Sequence, residues 1–493
     1  KFETIFALPF SQIKEKNFHV IDEGAKILCM EIDDYKEISV DEILKKLPSE
    51  NIELEDEIKY NLSDNEYENI IQKVIDEIRN GEGANFVISR KAYGKIKDMN
   101  VNKALTIFKN LLNNEIGSHW TFIFYTGKNF LIGASPETHI SLRNGRVKMH
   151  PISGTFRKEY KELKKLREKF IEFLNNEKEI NELFMVVDEE LKIMGKLCKT
   201  GMIVGPILKE MSALIHTEYL LSGKSDENII DIIKESMFAA TVTGSPLENA
   251  CRIIKKYERE DRRYYSGALV LIGKENNRDF VDSCILIRTV EIDNKGNFSL
   301  RAGPTIVRDS IPSEEVKETK SKMEALINSF KKSKKKKYKK ILQYFDEDPE
   351  ILETLQNRNQ KLSKFWFFSQ EGEDNTFEEI LNKKILIIDN EDGFCYMLKH
   401  MLSSMGAKVE IDRYENYRNR EFKNFENFDI VAIGPGPGNP LDLENEKMKI
   451  IDEIIENLMN SGKKFFAICL GHQILCKKLG FKILRKKIPL QGT

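Results

Sequence analysis

Two pairs of glutamates give the first chemical signal in this sequence. Glu179 and Glu182 are three residues apart in a stretch with helical periodicity, and Glu315 and Glu318 repeat that spacing in another. Three residues are close to one helical turn, so the members of each pair face the same side. Carboxylate oxygens are the ligands that Mg²⁺ prefers. Two such faces in opposition would bind Mg²⁺, although solvated charged helices show the same spacing.

A cysteine near the C-terminus lies where a nucleophile would be held. The apolar residues 465–468 predict a strand, and Cys469-Leu470-Gly471-His472-Gln473 predicts a tight turn into a helix. A helix N-terminus favours the thiolate form of a cysteine. Gly434-Pro435-Gly436-Pro437-Gly438 follows another apolar strand and offers backbone N–H groups to an oxyanion. The alternative is a buried structural cysteine.

Three motifs from about Lys383 to the end resemble those of class I glutamine amidotransferases. They are Ile388-Asp389-Asn390, the glycine–proline segment 434–438 and the segment 469–473. The resemblance implies that Cys469 attacks the glutamine amide and releases ammonia, with Gly436 and Leu470 in the oxyanion loop. That family takes its base from a later His-x-Glu, and no histidine follows His472. Because a cysteine without an imidazole partner is poorly activated, we expect this domain to be incomplete here.

Six separated segments before residue 330 resemble the chorismate-utilising enzymes, which include anthranilate synthase component I, aminodeoxychorismate synthase, isochorismate synthase and salicylate synthase. The segments are Gly133-Ala134-Ser135-Pro136-Glu137, Pro151-Ile152-Ser153-Gly154-Thr155, His216, Thr241-Val242-Thr243-Gly244-Ser245-Pro246, Ile287-Arg288-Thr289 and Glu315-Val316-Lys317-Glu318-Thr319. The resemblance spans about Asn85 to Leu326. It implies a two-sheet α/β sandwich that binds chorismate with Mg²⁺.

By that resemblance, Glu137 matches the general acid that protonates the departing C4 hydroxyl, and His216 matches the histidine beside the reacting ring. The residues expected to bind substrate are Asn85, Gly154, Thr155, Thr243, Tyr265, Arg288, Gly303 and Lys322. Arg288 is well suited to a substrate carboxylate because its guanidinium binds through two parallel hydrogen bonds. The residues that match the family's Mg²⁺ ligands are Glu179, Glu182, Glu315 and Glu318.

Two positions distinguish branches of that family. Enzymes that add water carry a lysine base where this chain has Asn85, and an amide cannot deprotonate water. Enzymes that aminate C4 carry a lysine where this chain has Ser153. The resemblance therefore implies attack of ammonia at C2, which gives 2-amino-2-deoxyisochorismate.

Three segments depart from the anthranilate synthase pattern and resemble the phenazine-pathway branch of the family. They are 186–191, 238–241 and 301–305. That branch keeps the pyruvyl ether. The alternatives are a fused anthranilate synthase, which releases anthranilate and pyruvate, and a catalytically silent binding protein on the same scaffold.

The patterns of apolar residues predict the elements that position these groups. Segments 86–89, 121–125 and 268–272 are typical of strands, and segments 158–197 and 313–330 are typical of helices. Segments 385–388 and 430–433 are continuous apolar strands, which indicates a parallel sheet. We therefore predict an α/β fold in three parts: a chorismate-utilising domain (1–330), a linker (331–382) and an incomplete amidotransferase domain (383–493). The linker opens with eight lysines in ten residues and is expected to be solvated, with the aromatic segment 365–368 docking it onto a domain.

Composition limits the remaining possibilities. Among 493 residues, 78 Lys and Arg balance 79 Asp and Glu for a net charge of −1, which gives no reason to expect a nucleic-acid partner. No stretch approaches the roughly 20 apolar residues of a membrane span. The seven cysteines show no paired spacing, so we expect the reducing cytoplasm. By the family resemblance we also expect a homodimer, with chorismate and glutamine as substrates.

Overall fold

The computed structural model describes residues 1–158, 162–211, 214–331, 340–368, 370, 376–442 and 444–484. The strands before residue 331 are β1 (Phe2–Leu8), β2 (Leu28–Glu31), β3 (Lys59–Tyr60), β4 (Asn85–Val87), β5 (Arg90–Lys95), β6 (Trp120–Tyr125), β7 (Asn129–Ser135), β8 (Thr138–Arg143), β9 (Arg146–Met149), β10 (Ile152–Arg157), β11 (Thr200–Glu210), β12 (Leu214–Lys224), β13 (Gly244–Ser245), β14 (Ala268–Glu275), β15 (Arg278–Ile285), β16 (Thr289–Asp293), β17 (Asn297–Ala302) and β18 (Thr305–Val307). The α-helices there are α1 (Val40–Lys46), α2 (Asp64–Arg79), α3 (Val101–Asn114), α4 (Leu163–Leu174), α5 (Glu177–Leu197), α6 (Ile229–Glu235), α7 (Leu247–Tyr257) and α8 (Pro312–Ser329). The later elements are α9 (Pro349–Arg358), β19 (Lys384–Asp389), α10 (Phe394–Ser404), β20 (Lys408–Arg413), β21 (Ile430–Ile433), α11 (Glu446–Ser461), β22 (Phe465–Ala467) and α12 (Leu470–Lys478).

Two large sheets form the framework of the region before residue 331. One follows the order β10-β12-β9-β8-β15-β14-β1-β2, with β11 paired to β12, and the other follows β3-β5-β17-β16-β7-β6. A short three-stranded sheet, β13-β4-β18, accompanies them. Helices such as α2, α3, α5 and α8 bury an apolar face against the strands. The predicted two-sheet α/β architecture is confirmed.

The helical stretch predicted over 158–197 contains a break. Residues up to Arg157 continue β10, and two helices follow, α4 and α5. The break lies at Asn175 and Asn176, where the Asn176 side chain accepts hydrogen bonds from the backbone N–H groups of Lys178 and Glu179. Asparagine satisfies the free N–H groups of a new first turn better than it fits a helix interior. This cap fixes where α5 begins and hence which way its glutamates face.

Part of the expected linker is packed rather than solvated. Phe345, Ile351 and Leu355 are buried in one cluster with Phe170 of α4, and the rings of Phe170 and Phe345 stack at 4.9 Å. Apolar side chains one helical turn apart give α9 a face to bury, which the surrounding charges obscure in the sequence. The lysine-rich segment 332–339 lies outside the described residues.

The aromatic segment at 365–368 docks as predicted. Trp366 is buried, lies against Gly201 and stacks on His400 of α10 with ring centroids 5.3 Å apart. His400 in turn contacts the backbone oxygen of Cys198 through Nδ1 at 3.1 Å. The tryptophan therefore joins the end of α5 to the C-terminal region.

The C-terminal region is built on a parallel sheet of order β20-β19-β21-β22, which confirms that prediction. The apolar residues of β19 and β21 are buried between α10 on one side and α11 and α12 on the other. Among the described residues, none of the helices combines the length and the apolar character that crossing a membrane requires.

Candidate functional site

A cavity of about 120 Å³ lies within the region before residue 331. Ten of the predicted site residues line it: Glu137, Gly154, Thr155, Glu182, His216, Tyr265, Arg288, Gly303, Glu318 and Lys322. They come from β10 and β12 of the first large sheet, from loops that adjoin strands of both large sheets, and from α5 and α8. Residues distant in sequence thus meet around one small enclosed volume.

Glu137 lies in the turn between β7 and β8 and is 4% exposed. Its backbone oxygen accepts a hydrogen bond from Ile285, whereas its side-chain Oε1 has no partner among the described residues. Burial raises the pKa of this carboxyl to about 7, even though the Thr241 hydroxyl and the positive charge of Lys209 oppose the shift. A carboxylic acid that keeps its proton near neutral pH is suited to general acid catalysis.

His216 of β12 faces the same cavity. Its Nδ1 lies 2.7 Å from the backbone oxygen of Gly154, and its Nε2 has no partner among the described residues. A carbonyl oxygen can only accept a hydrogen bond, so Nδ1 carries the proton of the neutral ring. Nε2 is then free to accept a hydrogen bond. Burial and the charge of Arg288 lower the pKa of the imidazole to about 3. The ring is therefore neutral and presents a hydrogen-bond acceptor to the cavity.

Two cationic side chains line another part of the wall. Arg288 has a left-handed backbone (φ 49°) and directs Nη1 to within 3.3 Å of Met211 Sδ, and no carboxylate of the described residues forms an ion pair with it. Lys322 of α8 donates to the backbone oxygen of Gly303 at 3.0 Å and pairs with Glu318 at 2.7 Å. Arg288 thus offers a guanidinium to an anionic ligand, whereas Lys322 already has a carboxylate partner.

The carboxylates on α5 and α8 interact electrostatically across the cavity. Burial and the charges of Glu179 and Glu318 raise the pKa of Glu182 to about 8. Glu182 also accepts a hydrogen bond from the Ser153 hydroxyl at 3.0 Å. Like charges held near each other in a shielded site attract a cation.

These carboxylates fit Mg²⁺ in chemistry but are not gathered into a cage. In the part of the chain that the structure describes, no group of three or more His, Cys, Asp or Glu side chains is arranged to hold a metal ion. Lys322 neutralises Glu318, and Lys178 lies 3.9 Å from Glu315. Two lysines thus supply the positive charge that these carboxylates attract. The assignment of the four glutamates as Mg²⁺ ligands stays a prediction.

Four predicted residues do not line the cavity: Asn85, Glu179, Thr243 and Glu315. Thr243 donates its hydroxyl to the backbone of Ala239 at 2.9 Å, and the neighbouring Thr241 and Val242 line the wall instead. Asn85 is buried on β4, and both polar atoms of its amide lack a partner among the described residues.

Arg301 is a cavity residue that the motif search passed over. It lies on β17, lines the wall, and donates to Ser89 Oγ at 3.2 Å and to the backbone oxygen of Asp261 at 3.1 Å. These contacts hold the strand that presents Gly303. The available signal was that its segment, 301–305, departs from the anthranilate synthase pattern.

Cys469 lies at a strand–turn–helix corner, as predicted. It follows β22, precedes α12 and has φ 49°, a value that ordinary residues rarely adopt. A side chain at Gly471 would collide with Ile433, so glycine is required for the close approach of helix and strand. Gly436 packs equally closely on the backbone of Asn390. The corner holds the thiol in a fixed position beside the glycine–proline segment.

The expected thiolate is not favoured at this corner. Loss of hydration and the Asp392 carboxylate raise the pKa of the Cys469 thiol. The Leu470 N–H and the Lys192 ammonium act in the opposite direction but do not prevail. The expectation from the helix N-terminus was therefore wrong about the resting thiol, because loss of hydration first, and the Asp392 carboxylate second, outweigh the first-turn N–H.

The two chemical centres meet through one buried lysine. Lys192 of α5 contacts Asp392, which follows β19, at 2.8 Å, and it also pairs with Asp188 and Glu189 on its own helix. A cavity of about 370 Å³ lies at this junction, lined by residues of both regions. The environment of Cys469 thus depends on a helix that also lines the Glu137 cavity.

Comparison with known proteins identifies the class. The family described as chorismate binding enzyme matches residues 17–328, and the family described as glutamine amidotransferase class-I matches residues 386–493. The chain therefore belongs to the chorismate-binding enzymes and carries an amidotransferase region in the same polypeptide.

The more particular likeness covers the full chain. Two proteins named "Anthranilate synthase, phenazine specific", from Pseudomonas chlororaphis and Pseudomonas fluorescens, are each 39% identical over 496 residues, which is 100% of this chain and 76% of theirs. Among solved structures, anthranilate synthase component I from Streptococcus pneumoniae is 22% identical with a TM-score of 0.54, covering 66% of this chain and 80% of that one. The last comparison supports the fold alone.

Proposed function

We propose that this enzyme aminates chorismate at C2 with ammonia derived from glutamine and releases 2-amino-2-deoxyisochorismate. The observation that carries the proposal is the juxtaposition, in one cavity, of Glu137, whose pKa is raised to about 7, with a neutral His216. The relatives named "Anthranilate synthase, phenazine specific" support amination of chorismate with ammonia from glutamine, which the proposed reaction and its rival share.

In this proposal, Glu137 gives its proton to the C4 hydroxyl of chorismate, which leaves as water. The lone pair of ammonia forms the bond to C2 while the C1=C2 and C5=C6 double bonds shift to C6=C1 and C4=C5 and the C4–O bond breaks. The new ammonium then loses a proton, which restores Glu137 or passes to solvent. The free Nε2 of His216 is a hydrogen-bond acceptor for a substrate N–H or O–H group beside the ring.

The remaining wall residues would hold the substrate. Arg288 and Lys322 would bind the two carboxylates, and Gly154 and Gly303 would allow the ring to approach the backbone closely. The residues that would hold Mg²⁺ are Glu179, Glu182, Glu315 and Glu318. The bound ion would neutralise the ring carboxylate and favour departure of the hydroxyl, and Lys178 and Lys322 would have to release their carboxylates first.

Cys469 would supply the ammonia. The thiol would attack the glutamine amide, and the N–H groups of Leu470 and Gly436 would stabilise the tetrahedral oxyanion. We also propose the division into a chorismate-utilising domain (1–330), a linker (331–382) and an amidotransferase domain (383–493), and a homodimer in the cytoplasm. All seven cysteines are unpaired, which is compatible with a reducing compartment.

The decisive experiment supplies chorismate, Mg²⁺ and ammonium and identifies the product by mass spectrometry. We expect a product that retains the pyruvyl ether. The printed names of the relatives favour a second candidate, an anthranilate synthase. Fluorescent anthranilate with one equivalent of pyruvate would establish that candidate, and no consumption of chorismate would overturn both.

A further inference from the structure

Glu190 is a buried carboxyl that takes no part in the proposed reaction as described above. It is 1% exposed, and its Oε2 has no hydrogen-bond partner among the described residues. It belongs to the segment 186–191, which departs from the anthranilate synthase pattern. Burying an unpaired carboxyl is costly, so its presence calls for a physical reason.

Its position on α5 relates it to the cavity. Glu190 follows Val186 by four residues and Glu182 by eight, and both of those side chains line the cavity. Positions four apart lie along one face of a helix, so Glu190 lies one turn beyond Val186 on that side of α5, next to the cavity wall but not part of its lining. The helix packs there against β10, β12 and the segment that contains Thr241.

The charged groups around Glu190 are unevenly distributed. Glu137 is the charge that acts on Glu190, whereas Lys209 and Arg288 act on Glu137. His216 of β12, which also lines the cavity, is neutral because its pKa is lowered to about 3. The neighbouring charged side chains of α5 have other partners than Glu190. Glu189 accepts a hydrogen bond from the Ser245 hydroxyl and pairs with Lys192, at the junction with the C-terminal region.

A buried carboxyl with a negative neighbour and no cation keeps its proton. Desolvation and Glu137 indeed raise the pKa of Glu190 well above its ordinary value. In its protonated form a carboxyl is a hydrogen-bond donor. Oε1 of Glu137 also lacks a partner among the described residues, so the two neighbouring carboxyls offer a donor and an acceptor that the resting structure leaves unmatched.

We propose that Glu190 is a positioning residue that remains protonated and donates a hydrogen bond to the Glu137 carboxylate formed when Glu137 protonates the departing hydroxyl. The proton stays on Glu190 throughout, so no further reactant is needed. This inference rests on the proposed function, in which Glu137 is the general acid. A neutral donor makes Glu137 a stronger acid without adding a second negative charge near an anionic substrate.

The test compares three variants by ammonium-supported chorismate consumption across pH. Glu190→Met removes the donor with similar volume, Glu190→Gln retains an N–H donor, and Glu189→Gln is a matched carboxylate-to-amide control on the same helix. We expect Glu190→Met to lower kcat about 10-fold to 100-fold, the effect of one hydrogen bond to a charged group. The descending limb of its pH profile should move to higher pH, because Glu137 loses the group that stabilises its ionised form.

Glu190→Gln should retain most of the wild-type turnover, and the descending limb of its pH profile should lie close to that of the wild type. Glu189→Gln should leave the limb where it is. An unmoved limb in Glu190→Met would overturn the inference, and so would a limb displaced to lower pH, which means that Glu190 is ionised. A wild-type enzyme that consumes no chorismate would instead overturn the proposed function.

A second measurement does not depend on turnover. The infrared difference spectrum between wild type and Glu190→Gln at pH 8 should contain the carbonyl band of a protonated carboxylic acid. Bands of an ionised carboxylate in its place would contradict the inference even if Glu190→Met failed to fold.

Discussion

The Glu137 cavity and the Cys469 corner place reactive groups in opposite ways. Around Glu137, side chains from distant parts of the chain enclose about 120 Å³. At Cys469, one continuous stretch of strand, turn and helix holds the nucleophile, and the residue is exposed. The acid is therefore a product of tertiary assembly, whereas the nucleophile is a product of local backbone geometry.

The comparison teaches that position and reactivity are set by different parts of the structure. Local geometry fixes where the Cys469 sulfur lies, but Asp392 and Lys192 from other segments influence its pKa. At Glu137 the enclosure determines both the location and the pKa. A motif can be read from sequence, whereas the protonation state of its reactive group depends on what packs around it.

The largest expected effect concerns the acid. Glu137→Gln should reduce ammonium-supported chorismate consumption by about 10² to 10⁴ while chorismate still binds, because an amide keeps the shape but cannot donate the catalytic proton. Steady-state kinetics and calorimetric titration with chorismate measure the two properties. Glu275→Gln, an exposed carboxylate paired with Arg143, is the control. A decrease in chorismate consumption of less than tenfold would contradict the assignment of Glu137 as the general acid.

The facing carboxylates give the next effect. Glu182→Gln should raise the Mg²⁺ concentration needed for half-maximal turnover by at least about tenfold, since an amide oxygen carries no charge for the ion. Glu314→Gln changes an exposed glutamate of α8 that pairs with Lys317 and should have no such effect. Equal Mg²⁺ requirements in the two variants would remove Glu182 from the metal site.

The pH profile distinguishes the enclosed acid from an ordinary carboxyl. Glu137 must be protonated to act, and its pKa is raised to about 7, so kcat/KM should be full below that pH and fall about tenfold per unit above it. His216 must be neutral, and with its pKa lowered to about 3 it contributes no loss of activity near pH 6. A profile that stays flat from pH 6 to 9 would contradict this protonation scheme.

The smallest effect probes the exposed corner. Asp392→Asn removes the carboxylate that adds to the effect of lost hydration in raising the pKa of Cys469, so iodoacetamide should alkylate this thiol several-fold faster at pH 7. Peptide mapping separates Cys469 from Cys476. Glu410→Gln, at an exposed position of β20, serves as the matched control. Unchanged or slower alkylation would show that Asp392 does not govern the thiol.

Much of the fold could be predicted because the pattern of apolar residues along the chain follows the secondary structure. The parallel strands β19 and β21 are continuous apolar runs, and the three apolar segments predicted as strands in the first region, 86–89, 121–125 and 268–272, overlap β4, β6 and β14. The prediction missed the break between α4 and α5, where one asparagine cap outweighs a continuous helical periodicity. It also missed the burial of Phe345 and Leu355, since charged neighbours masked a short apolar face.

The site was predicted unevenly for a similar reason. Motif positions identified most residues around the Glu137 cavity, yet Thr243 faces its own helical turn while Thr241 faces the cavity. A motif specifies a segment, and the backbone conformation decides which of its side chains points inward. Arg301 and Glu190 lie in segments that were noted only for departing from the anthranilate synthase pattern, and their burial is what distinguishes them as individual residues.

The sequence by itself determined the order of the elements, the turn that carries Cys469, and the glutamate spacings on α5 and α8, because these follow from backbone preferences over a few residues. Only the tertiary structure decided that Glu137 holds a proton near neutral pH, that Glu190 is buried beside it, and that Lys192 connects the two chemical centres. Desolvation and charge act through space and so depend on neighbours that the linear order does not reveal.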